Sequence, residues 1–191
     1  MMIRLASLYP AGAECYAVQL QPGFTAHIKP DTSEILLGGG TSLKLKDHPA
    51  LKKELFQFIT STKLPIMGIC FGMQIIGRAF GASIVQLPVA SDGLKNIRIL
   101  QDKAEFQNKY IAQIYKKQYW SLQELPAELT VFACSADGID AFMHAQRPIA
   151  GVQFHPEQFG QISDGKLIFD VLRRKVLARV ASHGTHRLGV L

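Results

Sequence analysis

Cys70 stands between two glycines, in Gly68-Ile69-Cys70-Phe71-Gly72, where the apolar run "LPIMGI" gives way to the helix-like "FGMQIIGRAF". A residue at a sharp strand-to-helix turn is pushed out above a sheet, and small neighbours allow the turn to close. The unpaired N–H groups at the start of the helix would favour a thiolate there. The N–H of Phe71 could aim at an oxyanion. The same five residues also fit a buried cysteine beside two packing glycines, and the segment alone does not separate the two readings.

A cysteine nucleophile needs a base. Of the six histidines, His155 is distinctive because it follows the apolar run "IAGVQF" and opens "HPE". Glu157, two residues on, is close enough to hold an imidazole in one tautomer. Cys70, His155 and Glu157 then make a complete set of nucleophile, base and orienting carboxylate. Taken alone, "HPE" also suits a surface turn after a strand. The third feature is "LLGGGTS", whose Gly38, Gly39 and Gly40 leave backbone N–H groups free to face a ligand. Such a loop could complete an oxyanion hole or form an anion-binding nest, or it could be a plain flexible turn. It is not a phosphate-binding P-loop, since no Gly-Lys-Ser/Thr follows.

The elements that would carry these residues alternate between short apolar runs and helical patterns. "IRLASLY", "FTAHI", "EILLG", "LPIMGI", "SIVQL" and "IAGVQF" read as strands. Leu51, Leu55, Phe56 and Ile59 recur at helical spacing in "HPALKKELFQFITST", with Pro49 in the first turn. "EFQNKYIAQIYKKQYW" reads as a helix or a mixture, and "LTVFACSAD" with "IDAFMHA" as a hairpin around Gly138. Leu167, Ile168, Val171, Leu172 and Val176 mark a closing amphipathic helix. The expectation is a single α/β domain over residues 1–180, with a doubly wound, largely parallel sheet, followed by a basic tail over 181–191. In such sheets chemistry collects at the carboxyl ends of the strands.

Composition bounds the rest. The 191 residues suffice for one core, and 48% hydrophobic with 19% charged residues is ordinary for a globular protein. No apolar run reaches the ~18 residues of a membrane span, and no signal peptide is legible, so a cytoplasmic protein is expected. Cys15, Cys70 and Cys134 have neither disulfide nor metal-site spacing. No metal or organic cofactor is expected. The net charge of +6 reads as a solvated last helix, since no aromatic-interleaved basic stripe suggests nucleic acid.

In this order, "LLGGGTS", "PIMGICFGMQIIGRAFGA" and "QYWSLQELPAELTVFACSADGIDAFMHAQRPIAGVQFHPE" resemble the class I glutamine amidotransferase (triad glutaminase) family over about Glu34 to Arg174. "GICFGMQ" and "PIAGVQFHPE" are similar to bacterial GMP synthases, and "YWSLQELP" to anthranilate synthase glutaminase subunits. The resemblance implies a flavodoxin-like fold and hydrolysis of the side-chain amide of L-glutamine. Cys70 would be the nucleophile, His155 the acid and base, and Glu157 its orienter. Gly39 and Phe71 would hold the oxyanion, while Gly38, Gly40, Gln74, Ser121 and Leu122 would help bind substrate. The ammonia would pass to a synthase partner. A stand-alone γ-glutamyl hydrolase and a catalytically silent relative are the alternatives. Two departures stand out: a short segment before the glycine loop, and Gly40 where proline is common in the GMP synthase type.

Overall fold

Residues 35–37, 66–69 and 149–152 are buried at every position, as expected of parallel strands covered on both faces. The structure, a computed structural model, describes residues 8–9, 11–39, 45–106, 111–158, 162–180 and 187–191. In chain order the elements are β1 (Glu14–Ala17), β2 (Glu34–Leu37), α1 (Pro49–Ser61), β3 (Ile66–Ile69), α2 (Phe71–Ala79), β4 (Ile84–Ile99), β5 (Ile111–Leu122), β6 (Leu129–Ser135), β7 (Gly138–His144), β8 (Ile149–Val152), α3 (Gly165–Leu177) and β9 (Arg187–Val190). Among the described residues they build one nine-stranded sheet, in the order β1-β9-β2-β3-β8-β7-β5-β4-β6.

Half of this sheet follows the expected plan. β1, β9, β2, β3 and β8 are parallel. Along β2, side chains alternate between two cores, as strand geometry requires. Ile35 and Leu37 pack with Leu51, Leu55 and Ile59 of α1 and with Ile75 and Ile76 of α2. Leu36, with Met67 and Ile69 of β3, packs with Ile168, Phe169 and Leu172 of α3. Helices thus cover both faces of the parallel half, making a mixed α/β domain.

The other half corrects the expectation of a largely parallel sheet. β7, β5, β4 and β6 pair antiparallel, and β6 pairs with both β4 and β7. The four strands therefore close a ring of pairings. The β4–β5 ladder shifts register between Gln86 and Ser91; Pro88 sits in that interruption, where a missing N–H costs no ladder bond.

Three further expectations change. "FTAHI" forms a short 3-10 turn, Phe24–His27, entered through Gly23 at φ 84°. "EFQNKYIAQIYKKQYW" is the mixture and not the helix, with Glu105 and Phe106 ending the 3-10 turn Lys103–Phe106 and residues 111–120 belonging to β5. Residues 187–190 of the expected basic tail are β9, held between β1 and β2. The run Leu188-Gly189-Val190 is a short apolar strand behind a cluster of basic residues. Most of "IRLASLY", together with Gly40, lies outside the described residues. No helix among them is long and apolar enough to cross a membrane.

Candidate active site

β3 and β8 run in register, with Gly68 opposite Gly151 and Ile69 opposite Val152. The residues that follow each strand are therefore neighbours. Cys70 donates its N–H to the Val152 carbonyl at 2.8 Å, and His155 lies three residues past Val152.

Cys70 caps α2 with φ 53° and ψ −107°. This left-handed region is costly for a residue with a Cβ and persists only where the surroundings enforce it. The flanking glycines show how they do. A Cβ on Gly72 would lie 2.0 Å from the Leu37 carbonyl oxygen, and one on Gly68 would lie 2.8 Å from the Met73 nitrogen. Only glycine lets α2 seat this closely on β2 and β3. The two readings of Gly-x-Cys-x-Gly thus meet: both glycines serve packing, and the packing turns Cys70 out. The thiol is half-buried, not sealed in the core.

His155 Nδ1 and Glu157 Oε1 are 2.8 Å apart, with both side chains mostly buried. A Cβ on Gly39 would lie 3.3 Å from His155 Cε1 and 3.5 Å from Cys70 Cβ. Imidazole, thiol and glycine loop therefore converge on one point at the carboxyl ends of β2, β3 and β8. Burial pushes the His155 pKa down, but hydrogen bonding and charge from Cys70 and Glu157 outweigh it and raise it to about 10. The imidazole is therefore protonated at neutral pH and is a ready proton donor.

β5 supplies the other wall. The Tyr115 carbonyl accepts the His155 N–H at 2.9 Å, and the Lys117 carbonyl lies 3.6 Å from Cys70 Sγ. Tyr115 also tilts its ring toward the imidazole. Between these residues the buried Lys116 pairs with Asp140 of β7, and bonds Ser135 Oγ at 2.8 Å and Asp137 at 3.2 Å. Burial raises the Asp140 pKa even though Lys116 acts to lower it.

The remaining expected residues are distributed as follows. Phe71 is the first residue of α2. Gly38 gives its N–H to the Leu191 carbonyl at 2.9 Å, and Leu191 gives its own to Leu36 at 2.8 Å. Gln74 is buried, and its amide nitrogen reaches the Trp120 carbonyl at 2.8 Å and Gln153 Oε1 at 2.9 Å. Ser121 and Leu122 are fully buried; Ser121 pairs with Val85, and Leu122 with Ile84 and Ile139. Sequence reasoning missed Gln153, whose Nε2 lies 3.7 Å from Cys70 Sγ. Its only signal was its place two residues before His155. It also missed the β5 carbonyls, which carry no residue signature. Among the described residues, no group of three or more His, Cys, Asp or Glu side chains could hold a metal ion.

The profile of the "Glutamine amidotransferase class-I" family matches residues 5–175. The chain belongs to the class I glutamine amidotransferase family. It is 35% identical to anthranilate synthase component 2 of Saccharolobus solfataricus over 153 residues, 77% of each chain. It is 34% identical to a GMP synthase of Tropheryma whipplei over 125 residues, 64% of this chain but 24% of that one. The chain thus matches about a quarter of the length of the GMP synthase. A Thermoplasma acidophilum protein of known structure, named as one of the subunits of GMP synthase, shares the fold with a TM-score of 0.69 at 21% identity, over 89% of this chain and 96% of that one. Relatives in this class I glutamine amidotransferase family include proteins named as glutamine-hydrolysing.

Proposed function

We propose that this chain is a glutaminase subunit, hydrolysing the side-chain amide of L-glutamine and passing the ammonia to a synthase partner in the cytoplasm. The observation that carries this reading is the convergence of a strained, half-buried Cys70 with the His155–Glu157 pair over Gly39. The helices on both faces of the parallel strands fit a flavodoxin-like, doubly wound core.

In this reading the Cys70 thiolate attacks the amide carbon of glutamine. The carbonyl electrons move to oxygen, where the N–H groups of Gly39 and Phe71 stabilise the developing charge. His155 gives its proton to the departing nitrogen, the C–N bond breaks, and ammonia leaves a γ-glutamyl thioester on Sγ. His155, now neutral, takes a proton from water. The hydroxide forms the new C–O bond, the C–S bond breaks, and glutamate is released with the thiolate restored. Glu157 holds the imidazole in place throughout. The α-amino and α-carboxylate groups of glutamine need polar partners, for which Gly38, Gly40, Gln74, Ser121 and Leu122 are the candidates.

The test is ammonia release from glutamine by wild type, Cys70→Ala and His155→Ala, each with and without candidate synthases. Release that depends on both residues supports the proposal. Release only from γ-glutamyl peptides points to a stand-alone hydrolase. Release unchanged in Cys70→Ala overturns the mechanism.

A further inference from the structure

Among the described residues, Cys70 Sγ has two hydrogen-bond neighbours besides the imidazole, and they differ in kind. The Lys117 carbonyl, at 3.6 Å, can only accept a hydrogen bond. It suits the S–H of the neutral thiol and offers nothing to a thiolate. The Gln153 side-chain amide, at 3.7 Å, can turn either its oxygen or its NH2 toward the sulfur. Which one it presents is decided by a chain of contacts that starts elsewhere. The Trp120 carbonyl is an acceptor 2.8 Å from the Gln74 amide, so the NH2 of Gln74 must face it. The second hydrogen of that NH2 points to Gln153, 2.9 Å away, so Gln153 must present its oxygen to Gln74. The NH2 of Gln153 is then left facing Cys70. Gln153 is fully buried and its own backbone N–H is fixed to the Asp140 carbonyl at 2.8 Å. The amide therefore has little freedom to turn.

We propose that Gln153 is a catalytic residue that donates a hydrogen bond to the Cys70 thiolate, and that Gln74 is a positioning residue that fixes the direction of the Gln153 amide. The proposal rests on Cys70 being the nucleophile. A neutral donor favours a thiolate without placing a second positive charge next to the imidazolium. Accepting a bond from Gln74 polarises the Gln153 amide and strengthens its own N–H as a donor. The benefit recurs. Negative charge leaves Sγ when the thioester forms and returns to it when the C–S bond breaks, and the Gln153 N–H meets that charge both times.

The experiment measures the rate of Cys70 alkylation by iodoacetamide across pH, alongside glutamine hydrolysis, for wild type, Gln153→Met and Gln74→Met. Iodoacetamide is small and neutral and does not use the glutamine-binding groups. A Gln74 that served substrate alone would leave this rate unchanged. The expected result at neutral pH is about tenfold slower alkylation in Gln153→Met, the size of one hydrogen bond to a charged group, and a smaller slowing in Gln74→Met. Raising the pH should bring both variants back toward the wild-type rate; a collapsed site would not recover. Wild-type alkylation rates in folded Gln74→Met and Gln153→Met overturn the donor chain, and so does a loss that high pH leaves in place. Should Gln153→Met fail to fold, Gln74→Met alone decides. Cys70-dependent glutamine hydrolysis with unchanged alkylation in the variants would leave the glutaminase reading standing without the donor chain. Slowed, pH-rescued alkylation in a protein that does not hydrolyse glutamine would do the reverse.

Discussion

Two glycine-to-alanine substitutions separate packing from chemistry at this site. At Gly72 the added carbon would lie 2.0 Å from the Leu37 carbonyl oxygen and 2.8 Å from Leu37 Cβ. Ordinary contact needs more than an ångström of extra room, and the obstacle is backbone. α2 must therefore shift bodily on β2. Alanine's better helix propensity returns about 1 kcal/mol, but overpacking of this severity lies at or beyond the top of the usual ~1–3 kcal/mol range. A net loss of about 3 kcal/mol lowers Tm by roughly 6–12 °C for a chain of this size. At Gly39 the nearest atoms are His155 Cε1 at 3.3 Å and Cys70 Cβ at 3.5 Å. An imidazole edge can give by a few tenths of an ångström, so stability should change by less than about 1 kcal/mol. The methyl would nonetheless fill the space between thiol and imidazole, and a displacement of this kind costs on the order of tenfold to a hundredfold in rate. Thermal denaturation and glutamine hydrolysis on both variants read out the prediction. Gly72→Ala should lose stability, while Gly39→Ala should keep its stability and lose rate. A fully active Gly39→Ala, or a Gly72→Ala as stable as wild type, would refute the geometry.

The remaining predictions concern charge and the sheet edge. Lys116→Met leaves Asp140 buried without its cation and should cost about 3–5 kcal/mol at neutral pH. The folded-state pKa of Asp140 is already raised, so its penalty is present at high pH and relieved as pH falls; denaturation of this variant near pH 5 should show partial recovery, and equal losses at both pH values would contradict the burial. The His155 pKa is raised from 6.5 to about 10, so its contribution is fully present below pH 6.5 and is lost as pH rises through about 10. Wild type should therefore lose stability relative to His155→Ala across that window, whereas parallel stability curves would deny the ion pairing. Deleting residues 187–191 removes β9 from between β1 and β2, with both Leu191 bonds to Leu36 and Gly38. The truncated chain should lose cooperative unfolding, and an unchanged Tm would mean that the segment is dispensable.

What the sequence revealed follows from the kind of signal each element carries. β2, β3 and β8 are continuous apolar runs because both their faces are covered, and α1 and α3 show clear helical spacing. β5 was ambiguous for a physical reason. Its inward side alternates Ala112, Ile114, Lys116 and Gln118, all buried, so a polar pair occupies positions where a strand normally shows apolar residues. β9 was hidden because a four-residue strand between two partners needs little apolar sequence of its own. Cys70, His155 and Glu157 could be singled out as candidates because side-chain chemistry with fixed spacing survives in a linear string. The glycines on either side of Cys70 suggested a sharp turn but suited a buried cysteine equally, and only the structure shows the strained backbone there. The Lys117 and Tyr115 carbonyls were not legible, since any residue supplies a carbonyl and only the fold aims it. Gln153 fell between these cases, visible in "GVQFHPE" but without a partner until the structure set Gln74 against it.

The most direct test of Cys70 as the nucleophile is to look for the acyl intermediate itself. Wild type mixed with glutamine, quenched in acid and digested, should yield a γ-glutamyl group on the peptide that carries Cys70, as detected by mass spectrometry. This adduct should form in wild type, form far more slowly when His155 is replaced by alanine, because the departing nitrogen then lacks its proton donor, and be absent in Cys70→Ala. Ammonia released with no adduct on Cys70 at any time, and at the same rate in Cys70→Ala, would contradict the claim that Cys70 is the nucleophile.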